Sequence, residues 1–157
     1  MEIKEQTRLR FIGMDFPSIE LKSKKPFIET EDNKVDVEIT PMFFTPKKPK
    51  NQFKIIMHAE LSVENHFELK IVGIGTFELS NENISAEERK MFVNANATAI
   101  VFPYVRSLIA TITSNVGKVI TPILLPPRFF KGDLEQVKNE ARNIKGKKLP
   151  KTRVRME

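Results

Sequence analysis

The chain has no cysteine, no tryptophan, one tyrosine and two histidines among its 157 residues. The lack of cysteine excludes a disulfide framework, a thiolate zinc site and a cysteine nucleophile, and is compatible with a reducing compartment. His58 and His66 do not stand at a ligating spacing such as H-x-x-x-H. With His58 on the polar face of a strand and His66 in a turn, both read as solvated surface histidines rather than metal ligands. No apolar run approaches the roughly 18 to 20 residues that span a bilayer. The opening Met1-Glu-Ile-Lys-Glu-Gln has no apolar signal core. The expectation is a soluble, unsecreted, cytoplasmic protein without membrane insertion.

Phosphate-binding loops and nucleophile motifs are missing as well. Gly73-Ile-Gly75 is not followed by a third glycine opening a helix, Gly117-Lys118 lacks the upstream glycine of a Walker loop, and no G-x-S-x-G occurs. The pairs Asp36/Glu38 and Glu87/Glu88 read as a solvated strand face and a helix N-terminus, where negative charge is favoured. The expectation is a protein without cofactor or metal and without catalysis; an enzyme of unknown class is the weakest of the readings.

Charge is present but uneven. Seven of the 26 basic residues and one of the 20 acidic ones lie in 142–157, which leaves nineteen of each in 1–141. The body is neutral and the net charge of +6 belongs to the tail. Such a tail could contact a polyanion such as nucleic acid, or simply be a disordered, solubilising end. The second reading is preferred, because the tail has no aromatics to stack on bases.

The length suits one domain with a real core. Phe53, Ile55, Met57, Ala59, Leu61 and Val63 alternate with mostly polar neighbours, and Phe67, Leu69, Ile71, Phe77 and Leu79 do so again beyond the turn Glu64-Asn65-His66. This period of two predicts a hairpin over 53–79. Gly73 and Gly75 predict a bulge or a close backbone approach, and Val72 and Ile74 predict a partly covered second face. Val35, Val37 and Ile39 open another strand running to about Phe44, with Pro41 arguing for an edge position or an irregular end. Arg8–Leu21 is strand-like but broken by Gly13 and Pro17.

Helical signals follow. Ser85-Ala-Glu-Glu88 is a capping box. Phe92, Ala95, Ala99 and Phe102 stand three and four apart, and Pro103 is expected to start a new segment or kink the old one. Val105, Leu108, Ile109 and Ile112 form a stripe ending at Gly117. Ile120–Phe130 holds three prolines and reads as an extended connector, and Asp133-Leu-Glu-Gln136 as the cap of a short helix to about Arg142. Strands grouped before helices predict an α+β fold: a four-stranded antiparallel sheet, a long helix, a proline-rich crossover and a short C-terminal helix. The domain is expected over 1–143, with 144–157 as a basic, disordered tail.

Two phenylalanine pairs are oddly placed: Phe43-Phe44 at the end of an irregular strand, and Phe129-Phe130 in the connector. Neighbouring side chains of an extended segment cannot all enter one small core. One of each pair is therefore expected at a sheet edge, an interface or a binding groove.

Ala99-Ile-Val-Phe-Pro-Tyr-Val-Arg106, Leu124-Leu-Pro-Pro-Arg-Phe129 and Phe67–Phe77 together resemble the helix start, crossover end and fourth strand of SecB-type protein-export chaperones, over about residues 7–143. The resemblance implies a dimer of dimers that binds unfolded, export-bound polypeptides in apolar grooves without ATP or cofactor. The residues assigned to such a groove are Met42, Phe43, Phe44, Phe77, Ile123, Leu125, Phe129 and Phe130. Those assigned to subunit packing are Phe11, Phe102, Tyr104, Leu108 and Ile112. The better-known members are acidic, with a polar tail that docks on SecA. The neutral body and basic tail depart from that pattern and put handover to SecA in question. SecB-like chaperones also serve toxin–antitoxin systems, and a divergent basic member fits that role about as well.

Overall fold

The computed structural model describes residues 6–24, 34–116, 123–126, 133–138 and the backbone of 152–156. Four antiparallel strands form its frame: β1 (Leu9–Ser23), β2 (Val35–Phe44), β3 (Gln52–Val63) and β4 (Phe67–Leu79). Their order in the sheet is β1-β4-β3-β2. The hairpin β3–β4 forms as the alternation requires, turning at Asn65, which takes the left-handed conformation at φ 65°. β1 is continuous rather than broken. Its register against β4 shifts between Phe11 and Gly13 and between Asp15 and Ser18, so Gly13 and Pro17 mark irregularities within one strand instead of ending it.

A single run of helix, Ala86–Thr113, lies on one face of the sheet. It comprises α1 (Ala86–Met91), a π-helical stretch (Phe92–Ala97) and α2 (Thr98–Thr113). Ser85 caps it as its sequence predicts, its hydroxyl accepting from the Glu88 amide at 3.2 Å. The helix neither starts nor stops at Pro103, which lies inside α2. The missing N–H deprives the Ala99 carbonyl of its partner, but both residues are exposed, and water can serve that carbonyl. α2 ends at Thr113, and Gly117 lies outside the described residues.

The buried stripe is Val93, Ala97, Val101, Val105 and Ile109; of the expected Phe92, Ala95, Ala99 and Phe102, only Phe102 is buried, Ala95 and Ala99 are exposed and Phe92 is half-buried. Five apolar residues each four apart would rotate steadily around an α-helix of 3.6 residues per turn. The wider winding of Phe92–Ala97 offsets part of that drift and keeps the stripe on the sheet. By length and composition this helix could cross a membrane, contrary to the expectation that no segment qualifies; here its apolar stripe is spent on the sheet.

Gly73 and Gly75 lie under that stripe. A β-carbon on Gly75 would collide with Val101 Cγ2, and one on Gly73 would stand 2.6 Å from Met14 Cε. The close approach is therefore made by helix and strand side chains, not by another backbone. On the opposite face, Met42, Ile56, Val72, Ile74 and Val137 form a smaller buried cluster, which accounts for the apolar residues on the second face of β4.

Two further strands depart from expectation. Glu135–Val137 is not the start of a helix but a strand, β5, parallel to Met42–Phe44. Asp133 does not cap: its carboxylate accepts from Asn94 Nδ2 at 3.2 Å and pairs with Lys90 Nζ at 3.2 Å, while Val137 is buried in the outer cluster. Burial and long-range hydrogen bonds outweigh the local capping pattern here. The tail, expected to be disordered, contains a strand, β6 (Thr152–Met156), antiparallel to Val35–Ile39. β2 is therefore not the edge strand that Pro41 argued for: β5 and β6 pair with it on either side of Pro41, and the proline falls in the gap between them, where no ladder bond needs its missing N–H.

Neither histidine is a solvated surface residue. His66 is buried, and His58 is half-buried with Nε2 lacking a hydrogen-bond partner among the described residues. Burial lowers the His58 pKa below 6.5, opposed by the nearby Glu60 carboxylate. As pH falls through 6.5, the unfolded chain takes up the proton first, so stability is lost from that point downward to the folded pKa. In urea titrations at pH 7.5 and 5.5, His58→Gln is expected to lose less stability on acidification than the parent; an equal loss would exclude this contribution.

Candidate functional site

β2, the loop after it, the start of α1 and β5 enclose a groove of about 540 Å³. Phe43, Pro46, Ile84 and Ala86 supply its apolar surface, and Lys50, Glu82, Lys90 and Gln136 its polar lining. Phe43 reaches it because β2 alternates: Phe43 faces the helix side while Met42 and Phe44 face the outer cluster. Two further lining residues carry buried polar atoms without partners among the described residues, Thr45 Oγ1 and Arg89 Nη1. The other Arg89 nitrogen, Nη2, is engaged, donating to the Lys50 carbonyl at 2.9 Å, which holds the guanidinium in place. A buried donor and acceptor left unpaired are costly, and a ligand that supplies their partners recovers that cost.

The far wall is held by the π-helical stretch. Asn94 donates to Asp133 and its Oδ1 accepts from the Leu134 amide at 2.8 Å. The two halves of the helix–crossover motif are joined directly: Arg106 Nε donates to the Leu125 carbonyl, and Thr113 Oγ1 accepts from the Ile123 amide at 2.9 Å. Arg106 therefore fastens the connector to α2.

Of the residues assigned to a client groove, Phe43 lines this pocket. Phe77 does not: it is fully buried, stacked on Phe53 at 5.3 Å and tilted against Phe11 at 5.2 Å. Leu125 is also fully buried, Met42 is buried on the outer face with Phe44 packed beside it, and Ile123 is half-buried against the main core. Phe129 and Phe130 lie outside the described residues. Ile84, Thr45 and Arg89 were not foreseen: Ile84 is a lone apolar residue before a cap, and an unpaired atom has no sequence signature.

Of the residues expected in subunit packing, two meet where α2 lies over β1. Phe11 and Tyr104 are in contact, with ring centroids 5.5 Å apart, and Leu108 and Ile112 are half-buried along α2. Phe102 is an exception, at 3 % exposed. Beside them β1 is the last strand of the sheet among the described residues, with Ile12, Ile19 and Leu21 each more than 40 % exposed.

Comparisons with known proteins agree with this geometry. The family model described as "Preprotein translocase subunit SecB" matches residues 16–132. An uncharacterised protein of Methanocaldococcus jannaschii is 30 % identical over 148 residues, covering 89 % of this chain and 93 % of its own. The protein-export protein SecB of Orientia tsutsugamushi is 30 % identical over 99 residues, which are 60 % of this chain and 56 % of that one. Among solved structures, the Mycobacterium tuberculosis SecB-like chaperone Rv1957, in complex with a ChAD peptide from the HigA1 antitoxin, superposes with a TM-score of 0.60 at 13 % identity, covering 74 % of this chain and 91 % of that one. The fold is thus shared with a SecB-like chaperone, and by the match of the family model over most of its length the chain belongs to the SecB family of chaperones.

Proposed function

We propose that this protein is an ATP-independent holdase that grips extended, unfolded polypeptides in the groove beneath Phe43. The observation that carries this reading is the combination of an apolar floor, Phe43 and Ile84, with one unpaired donor and one unpaired hydroxyl, Arg89 Nη1 and Thr45 Oγ1. An unfolded chain offers what this surface lacks: apolar side chains for the floor, a backbone carbonyl for Arg89 and a backbone amide for Thr45. None of these depends on one client sequence. Weak contacts at several grooves of an assembly sum to a slow off-rate, and binding the unfolded state holds back folding and aggregation by mass action.

The assembly is a homotetramer, a dimer of dimers, working in the cytoplasm. Phe11, Tyr104, Leu108 and Ile112, with the apolar edge of β1, form its packing surface; an open edge of that length and character is otherwise an aggregation hazard. The structural neighbour's antitoxin peptide favours a second reading of the same groove, a dedicated antitoxin client in place of many export clients.

The deciding experiment measures aggregation of a chemically unfolded, slow-folding client without ATP, using protein whose solution mass is known. The parent is expected to suppress aggregation as a tetramer. Phe43→Ser with Arg89→Met is expected to need about tenfold more protein for the same effect, the sum of a lost apolar contact and a lost hydrogen bond. Thermal melting verifies that the variant folds, and Thr45→Val serves as a milder second variant. A monomer without suppression, or folded variants that hold the client normally, would exclude this function for the groove.

A further inference from the structure

The outer edge of β2 carries two strands of the same chain, one on either side of Pro41. The register of β6 is the informative one. It sets Arg155 opposite Asp36 and Arg153 opposite Glu38, with Val154 opposite Val37 and Met156 opposite Val35. Over these four positions cation stands opposite anion and apolar opposite apolar. Directly opposed pairs of this kind stabilise an antiparallel ladder, and a slip of one residue would place each arginine opposite an aliphatic residue. The acidity extends across the sheet. Asp36, Glu38, Glu60 and Glu68, with Lys70 among them, line a recess of about 310 Å³ beside this edge.

We infer that the edge of β2 over Val35–Ile39 is a strand-docking site for extended peptide segments that alternate cationic and apolar residues, and that β6 is its resident occupant, displaced when such a segment arrives. Strand addition supplies backbone hydrogen bonds to any extended peptide, while alternate side chains set the preference. A strand of five residues is short enough to be exchanged. Its tether keeps it at high local concentration, so the edge is covered whenever no client is bound. The basic tail thereby acts as an internal competitor that sets a threshold for clients. The inference rests on the holdase reading for the identity of the incoming segment.

The test uses the full chain and its Arg153→Glu, Arg155→Glu variant. The probe is a fluorescent peptide of residues 148–157, Lys-Leu-Pro-Lys-Thr-Arg-Val-Arg-Met-Glu. In the variant, like charges repel the resident strand from Asp36 and Glu38. The peptide is expected to bind the variant at least about tenfold more tightly than the parent, two reversed cross-strand pairs together reaching that factor. Binding weakens as salt is raised, and a peptide with glutamate at both arginine positions does not bind. Hydrogen exchange gives the independent readout: amides of 35–39 exchange faster in the variant and are protected again by the peptide. Equal peptide affinity for both chains, or equal exchange at 35–39, overturns the inference. If both chains suppress client aggregation equally while the peptide shows no preference, the docking site falls and the holdase stands. If the peptide exchanges as expected but neither chain suppresses aggregation, the holdase reading falls and the docking site stands.

Discussion

Phe77→Ala is expected to cost about 3–5 kcal/mol, the range for emptying a large aromatic site in a close-packed core. Phe77 is fully buried between Phe53 and Phe11. In guanidinium titrations the midpoint falls while the slope stays that of the parent, because the surface exposed on unfolding hardly changes. Under conditions where the variant remains folded, its capacity to hold a client per folded molecule should equal that of the parent. This separates Phe77 from Phe43, which the resemblance to SecB chaperones places in the same groove. A Phe77→Ala protein with parental stability and impaired client holding would return Phe77 to the groove and remove it from the core.

The second large effect concerns Gly75. A β-carbon there meets Val101 Cγ2, and Val101 is β-branched, fully buried and fixed on the helix. Such a side chain has one preferred rotamer in a helix and cannot swing aside. Gly75→Val therefore has to lift α2 from the sheet, at a cost of about 3 kcal/mol, the upper end for overpacking. Gly73→Ala is the informative companion. Its new methyl stands closest to Met14 Cε, the far end of a flexible thioether that can move. Phe16 and Val105 lie at 3.2 Å, so the cost is smaller but not absent. Thermal melting of the two variants ranks them, and a Gly73→Ala protein less stable than Gly75→Val would show that the helix is not seated as described.

These two sites also show how much could be read before the fold was known. The hairpin was legible because its period of two survives in the residues from Phe53 to Val63 and from Phe67 to Leu79, whereas the first strand, read as broken at Gly13 and Pro17, carries its irregularities without ending. The phase of the helix was not legible, because Ala95 and Ala99 fit an α-helical stripe and only the π-helical turn moves Val93 and Ala97 inward. Asp133-Leu-Glu-Gln136 satisfies a capping pattern locally, yet Asp133 answers to Asn94 and Lys90, far away in sequence. The tail strand was invisible for the same reason, since its alternation has meaning only opposite Asp36 and Glu38. In the groove, Phe43 could be named from its awkward neighbour, whereas Thr45 and Arg89 become notable only when folding strips their partners away.

Tyr104 is the only tyrosine, and the chain has no tryptophan. Its ring is 47 % exposed and leans on Phe11 at the border where α2 meets β1. The near-ultraviolet emission of the whole protein consequently originates from one ring on the surface assigned to subunit packing. Dilution through dissociation would alter that emission without any label. A client containing tryptophan can be excited at longer wavelength and followed separately, so the proposed assembly and the proposed capture would each report in one cuvette, as two colours.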